Sequence, residues 1–116
     1  MDIKGIDVSG YNTNGKDLNG NPIPIDWKQV KQSGIEFAIP KIIRKNLNVD
    51  KQFENNWYNS TANGVAIGGV YNYSYATTVD KAKIDADAVI SALNTRKTTV
   101  WLDVEDNVQK NLGIDL

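Results

Sequence analysis

Cysteine and histidine are both absent from this 116-residue chain. Without cysteine there is no disulfide, no thiolate zinc site and no cysteine nucleophile. Without histidine there is no Ser-His-Asp triad and no imidazole acid or base, and the commonest ligand for a transition metal is gone, so no metal site is expected. Any catalysis falls to Asp, Glu, Lys, Tyr or Ser. An excess of one charge is missing too. The formal net charge is -1, which gives no electrostatic footprint for nucleic acid, and no nucleic-acid partner is expected. No apolar run approaches the roughly 18–20 residues of a membrane-spanning helix, so no membrane insertion is expected. The opening Met1-Asp2-Ile3-Lys4-Gly5 lacks the apolar stretch of a signal peptide.

What remains is an ordinary globular composition, 41% hydrophobic and 23% charged. The length suits one domain, residues 1–116. A short apolar run from Ile3 to Val8 reads as a buried strand ending at Asp7-Val8-Ser9-Gly10. Gly10 to Ile25 is dense in Asn and Gly and reads as a long loop. It has one carboxylate, Asp17, and not the spacing of a calcium loop. Asp26 with Gln29 forms a capping-box pattern that starts a short helix, and Gly34 closes it. Ile35, Phe37 and Ile39 alternate as a second strand.

Asp50 to Asn63 reads as a second helix with Phe53, Trp57 and Thr61 on one face, and Gly64 closes it. Val65 to Tyr75 reads as a third strand, with Gly68-Gly69 allowing close approach of another backbone. Thr77 and Asp80 form the start of a third helix whose buried stripe is Ala82, Ala86, Val89, Ile90 and Leu93. Thr99 to Val104 reads as a fourth strand, and the polar tail from Asp106 onward has no assigned element. Strands alternating with helices, without hairpin signals, predict an α/β fold with a parallel sheet and right-handed crossovers.

In such folds, functional groups gather at the carboxyl ends of the strands. Strand 1 ends at Asp7 and strand 4 ends at Asp103 and Glu105. Asp103 and Glu105 are two apart and point the same way. Two like charges held close raise at least one pKa, which keeps a carboxyl protonated nearer neutral pH. A protonated acid beside a stabilising carboxylate is what glycoside hydrolysis requires. An Asp at a strand end can equally cap the following loop. Tyr71, Tyr73 and Tyr75 share one face of strand 3, where they either stack on a sugar ring or face the core. Trp27 and Trp57 lie on helices and read as core. Trp101 shares the Asp103 and Glu105 face, and Lys41 follows strand 2 into the same mouth, whereas Arg44 and Lys45 read as solvated.

These residues resemble glycoside hydrolase family 25, the Chalaropsis-type lysozymes. The resemblance rests on Gly5-Ile6-Asp7-Val8-Ser9, on Ile25-Asp26-Trp27 with Val30-Lys31, and on Gly34 with Phe37-Ala38-Ile39. It continues through Phe53 and Asn56, Ala62 and Gly64, Gly68 and Tyr71, and Leu102-Asp103-Val104-Glu105. It implies a muramidase that cuts the β-1,4 bond between N-acetylmuramic acid and N-acetylglucosamine in peptidoglycan. Glu105 matches the general acid, Asp103 its partner carboxylate, and Asp7 the acid at the end of strand 1. Tyr71 falls at a groove position. Tyr73, Tyr75, Lys41 and Trp101 are the further candidates for contact with the glycan. No cofactor is implied.

The sequence departs from the family pattern where Lys41 is followed by Ile42-Ile43-Arg44-Lys45 rather than by Thr or Ser and then Glu-Gly, and where Tyr71 is followed by Asn72 rather than His. The resemblance further implies the N-terminal half, about four βα units, of a TIM-like barrel. It implies action outside the cell at the wall, as a secreted autolysin or a phage endolysin. An open half-barrel leaves two sheet edges and an apolar inner face, which predicts self-association as a homodimer and weak or absent lytic activity of this chain alone. The alternative is a non-catalytic fragment that binds peptidoglycan or only self-assembles.

Overall fold

The structure, a computed structural model, describes residues 2–112. Its strands are β1 (Lys4–Val8), β2 (Ile35–Pro40), β3 (Ala66–Ile67), β4 (Val70–Tyr73) and β5 (Val100–Asp103). Its helices are α1 (Trp27–Gln32), α2 (Phe53–Ala62), α3 (Val79–Leu93) and α4 (Asn107–Lys110). Every pairing between these strands is parallel: β1 with β2, β2 with β3, and β4 with β5. A parallel bridge between Lys41 and Tyr71 joins the two groups. The result is an α/β open half-barrel with the spatial order β1, β2, β3/β4, β5.

The third strand is broken where one uninterrupted strand is expected. Gly69 takes φ +127°, a conformation that side chains rarely adopt. A Cβ there would fall 2.7 Å from the Thr99 carbonyl oxygen and from Trp101 Nε1. The Gly68-Gly69 pair therefore lets β5 approach, and Trp101 Nε1 donates to the Gly68 carbonyl at 3.2 Å. Gly5 serves a different need. A Cβ on it would overlap the Phe37 ring, so the glycine leaves room for that ring on the inner face between β1 and β3.

The outer face of the sheet carries the core. Val8 and Ala38 pack with Trp27 of α1 and Val65. Ile42, Ile43 and Val70 pack with Phe53 of α2 and with Val89 and Ala92 of α3. Trp27 is buried and Trp57 is half-buried against the second cluster, in line with their reading as core residues. Ile42 and Ile43 follow β2 after Lys41 and are among the most buried side chains.

The helix starts follow local chemistry. Asp26 accepts from the Gln29 amide at 3.2 Å and starts α1. The expected cap of α3, Thr77, gives way to its neighbour. Thr78 is extended and accepts from the Lys81 amide at 3.1 Å. Two adjacent threonines satisfy the cap preference equally, and it is Thr78, with its extended backbone, that takes the cap. The α2 helix begins at Phe53 rather than Asp50. The buried Asp50 carboxylate instead accepts from the amides of Gly10 and Gln52, each at 3.0 Å. This ties the loop after β1 to the segment leading into α2.

The stripe expected on α3 is only partly covered. Val89 and Ala92 are buried, while Ile90 is 67% exposed. Ala82, Ala86, Val89 and Ile90 instead line an apolar groove of about 320 Å³ against Val100 and Leu102 of β5.

Candidate active site

The inner face is set by register. Asp7 lies beside Ile39, Tyr71 beside both Lys41 and Trp101, and Tyr73 beside Asp103. Strand periodicity sends these side chains to the side away from the helices. An open cleft of about 340 Å³ results at the carboxyl ends of the strands. Its acids are Asp7, Asp103 and Glu105. Its aromatic wall is Tyr71, Tyr73 and Trp101, with Ile39 at the base. Two strand ends that are remote in sequence, those of β1 and β5, thus contribute three carboxylates to one hollow that no Lys or Arg lines.

The acids perturb each other as like charges must. Glu105 is raised above the ordinary carboxylate range, first by hydrogen bonding with Asp103 and then by the negative charge of Asp103, with Lys110 acting in the opposite sense. Tyr71 is pushed up to about 12, first by burial and then by the Asp7 carboxylate, against a hydrogen bond with Ser9. It stays a neutral O–H at physiological pH and can donate to a sugar oxygen. Tyr73 is raised as well, by desolvation and by Asp106.

Asp106 was not singled out by the sequence reading. Its Oδ2 accepts from the Tyr73 hydroxyl at 3.2 Å, and its Oδ1 caps α4 through the Val108 amide at 3.0 Å. Gln109 completes a capping box by accepting from the Asp106 amide at 3.3 Å. The same buried Gln109 donates to Ser74 Oγ at 3.1 Å and to the Ala76 carbonyl at 3.0 Å. The segment after β5, which carries Glu105, is thereby fastened to the segment after β4. The Asp-x-x-Gln spacing of 106–109 is the sequence signal for it.

Two predicted site residues fall next door. β4 ends at Tyr73, so Tyr75 leaves the strand face and lines an adjacent hollow of about 380 Å³ with Lys41. Tyr75 still packs on Tyr73, with ring centroids 5.0 Å apart. Lys41 is almost fully buried, and its Nζ lies 5.9 Å from both the Tyr11 and the Tyr73 ring centroids. The two hollows thus adjoin where Lys41 of one lies against the Tyr73 ring of the other. In the long loop after β1, Asp17 accepts from the amides of Asn19 and Asn21, each at 2.9 Å, and is occupied in its own turn.

A family model described as Glycosyl hydrolases family 25 matches residues 6–113. Lysozyme-like protein 5 of Caenorhabditis elegans is 30% identical over 97 residues, which are 79% of this chain and 45% of that protein. A solved family 25 glycosyl hydrolase from Bacillus anthracis aligns with a TM-score of 0.67 at 26% identity, covering 95% of this chain and 46% of that one. The chain spans less than half the length of either relative.

Proposed function

The chain belongs to glycosyl hydrolases family 25, and from that premise we propose that it carries the principal acids of a peptidoglycan muramidase cutting the β-1,4 bond between N-acetylmuramic acid and N-acetylglucosamine. The observation that carries this reading is the convergence of Asp7, Asp103 and Glu105 in one cleft walled by Tyr71, Tyr73 and Trp101. Glu105 is the general acid. Its raised pKa keeps it protonated further toward neutral pH than an isolated carboxyl, so that it can protonate the leaving glycosidic oxygen. Asp103 holds that proton on Glu105 and, once it is given up, stabilises positive charge at the sugar. Asp7 adds negative charge on the opposite strand. The aromatic wall stacks on sugar rings, and Tyr71 donates a hydrogen bond. The chemistry uses no metal or cofactor, and the place of action is the cell wall.

Release of reducing ends from purified peptidoglycan tests the assignment. Glu105→Gln is expected to lower the rate on the order of 10²–10⁴-fold, the usual contribution of a positioned acid. Unchanged turnover would remove Glu105 from the mechanism. A second reading rests on the open aromatic wall of Tyr71, Tyr73 and Trp101. In it, the aromatic wall binds peptidoglycan without cleaving it. Retention on purified cell walls with no reducing-end release by the unmodified chain would select that reading. The exposed row Val100, Trp101 and Leu102 on β5 supports self-association through the open sheet. Sedimentation at micromolar concentration tests it, and a monomer throughout would contradict it.

A further inference from the structure

The hollow beside the acid cleft has the opposite electrostatic character. Its lining includes Lys41, Arg44, Lys45 and Lys51, against a single carboxylate, Asp50. Asp50 is already engaged by the Gly10 and Gln52 amides at 3.0 Å each. Among the described residues the ion pairs are Lys31 with Glu36 and Arg96 with Glu54, so none of these four cations has an acidic partner. Arg44 is half-buried, and its Nε is buried without a hydrogen-bond partner. Leaving a buried guanidinium donor unpaired costs free energy that a ligand oxygen can return. Lys41 is 9% exposed and held between two aromatic rings, which fixes its ammonium without neutralising it. In a chain of net charge -1, four unpaired cations in one concavity are a local excess that solubility does not explain.

We propose that this hollow is an oxyanion subsite, which takes a carboxylate or phosphate substituent of the glycan chain whose sugar rings lie in the adjacent acid cleft. Arg44 supplies a planar fork suited to either oxyanion. Lys41 and Lys45 supply flanking charge, and Tyr75 packs the apolar stem of the substituent. Because Lys41 of this hollow lies 5.9 Å from the Tyr73 ring of the acid cleft, and Tyr75 packs on that same ring, a glycan lying in the cleft presents its substituents to the hollow. The identity of the sugar rests on the muramidase reading, whereas the anion preference rests on this hollow alone.

Calorimetric titration of the chain separates the two. Three ligands are compared: a disaccharide–peptide fragment of peptidoglycan with free carboxylates, the same fragment with every carboxylate amidated, and a disaccharide phosphorylated on its sugar. The free acid is expected to bind about tenfold more tightly than the amide, as is usual when a partly desolvated charge pair is lost. The double substitution Arg44→Gln with Lys45→Gln is expected to erase that preference while leaving affinity for the amide unchanged. Lys45→Gln, at an exposed position, is expected to reduce the preference without touching the fold. A phosphorylated disaccharide that binds more tightly than the free acid, and loses this advantage in the double variant, identifies phosphate as the natural substituent. Equal binding of all three by the unmodified chain overturns the inference and leaves the glycan reading standing. If none binds, the glycan reading falls, and inorganic phosphate then decides the anion site through the Arg44 Nε–H resonance. A saturable shift supports the site, and an unmoved resonance overturns it.

Discussion

The middle of the sheet and its β5 edge differ sharply in how they are held. At the junction of β2, α2 and β4, Ile42, Phe53 and Val70 have no exposed surface. At β5, Val100, Trp101 and Leu102 are 44%, 53% and 65% exposed. The candidate cleft draws on both regions. Tyr71 projects from the packed strands, whereas Asp103 ends the strand with least cover and Glu105 follows it. The residues that hold the fold and the residues assigned the chemistry are therefore separable, and substitutions should divide into two groups.

The strongest contrast is in stability. Phe53→Ala removes a fully buried ring from the second core cluster and is expected to cost about 3–5 kcal/mol, read by chemical denaturation. Leu102→Ala on the exposed strand is expected to stay within about 0.5 kcal/mol. Similar losses at the two positions would erase the distinction between the regions. An intermediate case is Gly5→Ala. The added methyl overlaps the Phe37 ring and is expected to cost about 1–3 kcal/mol through forced repacking of the inner face. A neutral result would mean that Phe37 moves freely. A smaller effect belongs to Asp106→Ala, which removes the α4 cap and the acceptor of the Tyr73 hydroxyl. About 1 kcal/mol of stability is expected to go. Because Asp106 raises Tyr73, the phenol should titrate at lower pH in this variant, read by its ultraviolet absorbance, and an unmoved phenol would sever that link.

The same division explains what was legible in the sequence. The order of strands and helices is carried by local periodicity and by caps such as Asp26, and it is present in the structure. The convergence of Asp7, Asp103 and Glu105 followed from placing strand ends on a parallel sheet, and one cleft holds all three. The misses arose where a long-range contact overrides a local pattern. Nothing local distinguishes Thr77 from Thr78 as a cap. The break at Gly69 is imposed by the approach of β5. Asp50 resembles a helix start, but its carboxylate is taken by Gly10, forty residues away. Ile90 fits the helical stripe, yet it faces a groove that no described residue fills. Arg44 reads as a solvated charge from its neighbours, and only the fold buries its Nε.

The central claim is that Asp103 makes Glu105 an acid suited to protonating the glycan. A group whose pKa is raised stays protonated to higher pH, so rate should fall as pH rises through the Glu105 value, and removing Asp103 should bring that fall to lower pH. The most direct measurement is an NMR titration of the Glu105 side-chain carboxyl in the unmodified chain and in Asp103→Asn, which needs no turnover. Titration above the ordinary glutamate value of about 4.3 is expected in the first and a shift back toward it in the second. An ordinary value in both proteins, or a raised value that survives the loss of Asp103, would contradict it.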